Sequence, residues 1–166
     1  MAAVAASPVL AYVGLGANLG DARATLATVL DELRALDGVA ALRASGFYRS
    51  ASVGAPGPDY VNAVAELRTV LSPHELLMEL QRLEAAHGRM RPYPNAPRTL
   101  DLDLLLHDGA MLATPTLTLP HPRLHERAFV LVPLAELAPD AVVPGAGRVA
   151  DLLAGVAGQR LDKLGP

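Results

Sequence analysis

Apolar residues along the chain switch between two spacings, and the switches mark its elements. Residues 9–15, VLAYVGL, read as a short buried strand, after which 16–21 turn the chain and Asp21 can cap a helix. From 22 to 36 apolar residues recur at helical spacing (Leu26, Val29, Leu30, Leu33, Leu36), and Asp37-Gly38 ends the run. Residues 39–49 read as a single strand around Phe47-Tyr48, followed by a loop over 50–58 with two glycines and two prolines. The stretch 60–70 alternates: Val61, Ala63, Ala65 and Leu67 share one face, Tyr60, Asn62, Val64 and Glu66 the other. Ser72-Pro73-His74-Glu75 is a helix start, with an N-cap serine, proline at the first helical position and glutamate at the third. That helix runs to Gly88, and an arginine- and proline-rich loop follows over 89–97. A strand over 99–107, a helix over 126–137 and a short last helix near 149–154 complete the pattern. The order predicts an α+β fold of the split β-α-β kind, an antiparallel sheet with two helices on one face.

Composition narrows this picture without changing it. A chain of 166 residues that is 51% apolar is one domain with ample core, so residues 1–166 read as a single unit, with 1–8 expected to be flexible. The absence of cysteine excludes a disulfide framework, a thiolate zinc site and a thiol nucleophile, and is compatible with a reducing cytoplasm. The first basic residue is Arg23, which argues against a secretory leader, and no apolar run approaches the roughly 20 residues of a membrane span. A net charge of −3 argues against a general nucleic-acid binder. Positive charge is nevertheless concentrated locally: Arg82, Arg89, Arg91 and Arg98 stand against one acid, Glu84.

The candidate chemistry lies beside those arginines. Asp101 and Asp103 are two apart in a predicted strand, so both carboxylates share a face with Cα atoms about 6.5–7 Å apart. Ionised carboxylates this close repel unless a cation sits between them, and hard oxygen ligands suit Mg²⁺. The plain alternative is the solvent face of an amphipathic strand. Arginine binds phosphate oxygens in pairs, and a metal pair beside arginines is equipment for phosphoryl-type transfer. Tyr60 and Asn62 share a face, so a ring and an amide can meet one flat heterocycle, although Tyr60 also suits half-buried packing. The five histidines show no metal-ligand spacing, and Gly14 and Gly16 make no P-loop because no GKS or GKT follows.

Together, APRTLDLDL (96–104), PDYVN (58–62), GRMR (88–91) and LPHP (119–122) closely resemble the 6-hydroxymethyl-7,8-dihydropterin pyrophosphokinases of the folate pathway. The likeness runs from YVGLGANLGD (12–21) to PLAELAPD (133–140). It implies a ferredoxin-like βαββαβ core with extra C-terminal helices, and attack of the pterin's hydroxymethyl oxygen on the β-phosphorus of MgATP with AMP leaving. Carried over by position, Asp101 and Asp103 would hold two Mg²⁺ ions, and Arg89 and Arg98 would stabilise the transferring group. Gln81, Glu84, Arg91, Leu104, Thr118, His121 and Arg127 would line the ATP site. Tyr60 and Phe129 would sandwich the pterin, while Asn62 and the backbone near Ser50, Ala51 and Val53 would meet its polar edge.

The chain departs from the family pattern at Pro94-Asn95-Ala96, where a tryptophan often stands and the loop is one residue shorter. It departs again at Thr116 and Pro122, where arginine and tyrosine occur. The implied enzyme is a cytoplasmic monomer with two small-molecule substrates, binding neither nucleic acid nor membrane. MgATP would bind first, and the loops over 51–58 and 89–97 would then close over the pterin. Two rivals remain at this stage: a nucleotidyltransferase, which would release pyrophosphate, and a non-catalytic nucleotide- or RNA-binding module.

Overall fold

In the computed structural model, which describes residues 7–51, 57–88 and 100–165, strand β1 (Val9–Ala17) is an inner strand of the main sheet. It pairs antiparallel with β4 (Tyr60–Thr69) on one side and β5 (Asp101–His107) on the other. Strand β2 (Val39–Ala44) and strand β3 (Tyr48–Ser50) both pair with β4 along its outer edge. Helix α1 (Ala22–Arg34) joins β1 to β2, and α2 (Pro73–Gly88) joins β4 to β5. This is the ferredoxin-like βαββαβ order.

The predicted caps are formed. Asp21 accepts the Ala24 N–H at 3.0 Å; Ser72 and Glu75 exchange bonds at 2.8 and 3.1 Å, the reciprocal pair expected of a capping box. Gly38 ends the α1 connection at φ 91°, and a Cβ there would lie 2.9 Å from the Leu71 side chain, so glycine is required twice over.

One sequence expectation is corrected. Residues 39–49 are two strands, because three residues separate Ala44 from Tyr48 while only two separate their partners Ala65 and Asn62. The extra residue makes a bulge. Ser45 keeps Val64 paired through both its backbone N–H and its Oγ, and the Gly46 N–H leaves the ladder for Glu136. The 126–137 helix begins later than expected: a 3-10 turn at Leu124–Glu126 precedes α3 (Ala128–Leu137). The hairpin of β6 (Leu112–Ala113) and β7 (Thr118–Leu119) was not legible in the proline-rich stretch.

The sheet is covered on both faces. On one, Leu26, Val29 and Leu33 of α1 and Leu76, Leu80 and Leu83 of α2 pack on Val13, Leu15, Ala65, Leu67, Leu102 and Leu104. On the other, Ala128, Val130, Leu131 and Leu134 of α3 pack on Tyr12, Val64, Leu105 and Leu106. Leu105 is an extra residue in β5, since Val13 pairs with Leu104 and Tyr12 with Leu106; this bulge is why D-L-D-L alternation gives way to LLL. The chain then adds β8 (Val142–Val143), β9 (Gly147–Arg148), the short helix α4 (Val149–Leu152), a 3-10 turn at Leu153–Val156 and β10 (Asp162–Lys163), which pairs with β3. Among the described residues no helix is long and apolar enough to cross a membrane.

The C-terminal end of α3 is tied to the sheet through charge. Tyr12 donates to Glu66 at 2.7 Å, and Arg43 grips Glu66 with two bonds and reaches the Leu137 carbonyl at 3.1 Å. The bond from Arg43, against a smaller opposing effect of burial, holds the Glu66 carboxyl below its ordinary value, with Tyr12 adding to the lowering. A depressed carboxyl contributes stability that is fully present above the unfolded value, near about 4.3, and is lost as pH falls through the folded one. Glu66→Gln is therefore expected to flatten the loss of unfolding free energy between pH 6 and pH 3 (urea titrations at each pH), and Tyr12→Phe to cost about 1–2 kcal/mol at pH 7. An unchanged pH profile in Glu66→Gln would show that the carboxylate is not linked to folding.

Candidate active site

Register brings the candidate chemistry to one face. Asn62 pairs with Gly16, and Gly16 with Asp101; one step along, Val64, Gly14 and Asp103 form the next row. Directly opposed residues share a face, so Asn62, Asp101 and Asp103 all stand on the side away from α1 and α2. Between them β1 contributes only glycine. With strands about 4.8 Å apart, roughly 10 Å of bare backbone separates Asn62 from Asp101. Gly16 is thus not part of a phosphate loop but the bed between Asn62 and Asp101, whereas a Cβ on Gly14 would meet the buried Leu105 side chain at 3.6 Å, so that glycine adjoins the layer under α3.

At one end of the bed, a Cβ on Gly16 would lie 3.4 Å from Asn62 Oδ1 and 3.9 Å from the Tyr60 ring. Asn62 is buried, and its Nδ2 donates to Ser50 Oγ at 2.7 Å, which leaves Oδ1 and one N–H as a donor–acceptor fork. Ala51 is exposed just beyond. Asn18, at the end of β1, is buried as well; its Oδ1 has no hydrogen-bond partner among the described residues.

At the other end, the outer edge of β5 is held by side chains. Glu84 of α2 accepts the Leu102 N–H at 2.9 Å, and the His121 N–H reaches the Leu105 carbonyl at 3.0 Å. A cavity of about 280 Å³ opens there, lined in part by Leu77, Asp103, Leu104, Thr114, Thr118 and His121. Gln81 lies one turn from Leu77 and one from Glu84 along α2 and is not among the residues lining this cavity.

His121 Nε2 is 3.9 Å from Asp103 Oδ1, and its Nδ1 accepts the Arg123 N–H at 3.2 Å. Burial lowers the imidazole below its ordinary value against the raising effect of Asp103, and Arg127 and Arg123 lower it further. The ring is therefore neutral at pH 7, and with Nδ1 accepting, its proton sits on Nε2 toward the carboxylate. The Arg127 guanidinium lies 5.4 Å from the Phe129 ring, at the start of α3.

The structure thus places Asp103, Leu104, Thr118 and His121 around one cavity and Ser50, Tyr60 and Asn62 around the other end of the bed. Arg127 and Phe129 stand at the α3 side. Arg89, Arg91, Arg98 and Val53 lie outside the described residues, as do most of both loops expected to close. Sequence reasoning missed Leu77, Thr114 and Leu117. Thr114 carries a signal that could have been read: in T-P-T-L its Oγ1 accepts the Leu117 N–H at 3.0 Å, a hydroxyl-closed turn.

The profile of the family described as 7,8-dihydro-6-hydroxymethylpterin-pyrophosphokinase (HPPK) matches residues 12–139. The chain belongs to this family. It is 46% identical over 138 residues to a Synechocystis protein named 2-amino-4-hydroxy-6-hydroxymethyldihydropteridine pyrophosphokinase, covering 83% of this chain and 71% of that one. A Haemophilus influenzae protein of the same name is 41% identical over 159 residues, covering 95% of this chain and 99% of the relative. A crystal structure of Plasmodium falciparum HPPK-DHPS superposes with a TM-score of 0.72 at 12% identity; it covers 90% of this chain, which spans 45% of that longer one. That last likeness speaks for the fold, and the two sequence relatives for the family.

For an HPPK family member, a side chain in the bed has a direct cost. Gly16→Ala puts a methyl group against Asn62 and Tyr60 without asking for an unusual backbone, so the protein should fold. Pterin affinity is expected to fall by about tenfold or more, a loss of roughly 1.4 kcal/mol, with ATP affinity preserved. Isothermal titration of each substrate checks this, and equal pterin affinity in wild type and Gly16→Ala would remove the bed from the site.

Proposed function

We propose that this chain performs its pyrophosphoryl transfer across the Gly16 bed, with the pterin at the Asn62 end and the triphosphate of ATP at the Asp101–Asp103 end. The reaction moves the pyrophosphoryl group of MgATP to the hydroxymethyl group of 6-hydroxymethyl-7,8-dihydropterin, giving the pterin diphosphate and AMP, a step of folate biosynthesis. The carrying observation is the row Asn62–Gly16–Asp101, in which an amide and a carboxylate stand on one face of the sheet with only a glycine of β1 paired between them.

Two half-buried carboxylates fit Mg²⁺ in the form that keeps waters and takes further ligands from phosphates. Among the described residues no group of three or more His, Asp or Glu could hold a metal, so an all-protein cage is not the design here. Asp101 and Asp103 would hold two Mg²⁺ ions, whose chemistry is to neutralise and align the phosphate oxygens. Arg89 and Arg98 would stabilise the transferring group, and Gln81, Glu84, Arg91, Leu104, Thr118, His121 and Arg127 would line the ATP site. The neutral His121 supports that role, since its Nε2–H can donate to a phosphate oxygen at the rim of the cavity.

Tyr60 and Phe129 would sandwich the pterin; Asn62 and the backbone at Ser50, Ala51 and Val53 would meet its polar edge. The row between Asn62 and Asp101 contains no imidazole or amine, so alignment and charge carry the step. MgATP would bind first, and the loops over 51–58 and 89–97 would then exclude water. The reading extends to one domain over 1–166, acting as a cytoplasmic monomer on small molecules. The net charge of −3 supports the exclusion of nucleic acid.

Asp103→Ala is expected to lower kcat by at least about 100-fold while leaving the thermal transition within a few degrees, in an assay that resolves AMP from pyrophosphate by chromatography. Near-wild-type AMP production in that variant would overturn the carboxylate assignment. In calorimetry, pterin binding should appear only in the presence of a non-hydrolysable MgATP analogue, and equal binding without it would overturn the order.

A further inference from the structure

The row Asn62–Gly16–Asp101 continues outward through two more strands. Tyr48 of β3 pairs with Asn62, and Lys163 of β10 pairs with Tyr48. Lys163, the only lysine in the chain, therefore stands at the end of the same row, with its Nζ 5.8 Å from the Tyr48 ring centre. The Leu164 N–H adds a bond to the Phe47 carbonyl at 2.8 Å. These C-terminal residues lie beyond the family match, which ends at 139.

All of this converges on one carboxylate of α3. Glu136 accepts the Tyr48 hydroxyl at 2.6 Å and the Gly46 N–H at 2.9 Å, and Lys163 Nζ lies 3.3 Å from it. Burial alone would raise the Glu136 carboxyl, but these three donors outweigh burial and hold it below the ordinary range. Burial and the same bond push the Tyr48 phenol well above its usual value, so it remains a donor. Glu136 thus ties three places together: the bulge between β2 and β3, the C-terminal strand, and α3. Phe129 lies seven residues before Glu136, two helical turns away on the same side of α3. A helix pinned at Glu136 has its rotation fixed, and with it the position of Phe129. The strand pinned at Tyr48 carries Ser50, which fixes the Asn62 amide.

We propose that Glu136, acting with Tyr48 and Lys163, is a positioning residue for the pterin pocket, so that the C-terminal strand sets pterin affinity without touching the substrate. The inference rests on the pocket at Tyr60, Asn62 and Phe129 described above. A purely structural hub would change stability alone. A positioning hub changes the dissociation constant of the pterin far more than that of ATP, whose proposed site lies mainly at β5, three strands from β3, and meets the start of α3 only through Arg127.

The test uses the full chain with a saturating non-hydrolysable MgATP analogue and titrates 6-hydroxymethylpterin calorimetrically into wild type, Glu136→Gln, Tyr48→Phe and Lys163→Met. Each variant is expected to weaken pterin binding, by about tenfold for Glu136→Gln and less for the other two. Analogue affinity, and kcat at saturating pterin, should stay within about twofold, and Lys163→Arg should restore what Lys163→Met loses. Pterin affinities equal to wild type in all three, or a parallel loss of analogue affinity, would overturn the proposal whatever happens to the melting temperature. Should Glu136→Gln fail to fold, Tyr48→Phe and Lys163→Met each remove one contact and carry the same test. Failure of wild type to bind pterin would instead strike the pocket itself, and so separates the two claims.

Discussion

The pairing of β1 with both of its neighbours is the constraint from which the rest follows. Side chains alternate faces with a period of two, so a slip of one residue between β1 and β5 would turn Asp101 and Asp103 into the leucine layer under α1 and α2. Each carboxylate would then lose its hydration at a cost on the order of several kcal/mol, while Leu102 and Leu104 would face the groove. The buried leucines thus hold the carboxylates in place from behind. The same register sets Gly16 between Asn62 and Asp101, so core packing and the proposed substrate geometry are two consequences of one alignment.

The two ends of the bed are maintained by different physics. Near Asp101 and Asp103 the sheet has an outer edge, and its exposed backbone groups need partners: Glu84 takes one N–H and the segment ending at His121 takes one carbonyl. Those partners come from helix and loop, elements that shape a cavity. Near Asn62 there is no such edge, because β3 and then β10 extend the sheet, and the amide is fixed by a neighbour within it. On the proposed reading, the open, polar end takes the polyanion and the other takes the flat ring.

How much of this was legible in the sequence depended on whether a local rule governed the residue. Asp21, Ser72 and Glu75 announced helix starts because capping is local chemistry, and the alternation through 60–67 gave both faces of β4 correctly. Asp101 and Asp103 were legible for the same reason. The split of 39–49 was not, since it depends on a count of residues in the partner strand and on a carboxylate ninety positions away at Glu136. Gly14 and Gly16 were rightly read as no P-loop, but the place of Gly16 between Asn62 and Asp101 was not legible, because it is lateral: it depends on which residues stand on either side in the sheet. Leu77 and Thr114 were missed because a cavity lining is assembled from elements far apart in the chain.

The second layer over the sheet is where the sequence pattern was weakest and where charge supplies what periodicity does not. α3 is apolar nearly all round, so hydrophobic packing presses it onto the sheet without strongly choosing its rotation. Directional bonds make that choice. Arg43 reaches the Leu137 carbonyl from the Glu66 side, and Tyr48, Gly46 and Lys163 hold Glu136 from the other. Phenol-to-carboxylate bonds are short and angular, and each pairs a strand residue with an acid that is itself held by a cation, so neither acid is left uncompensated. A greasy helix fixed in this way can carry Phe129 in its first turn, where packing alone would leave its direction loosely set.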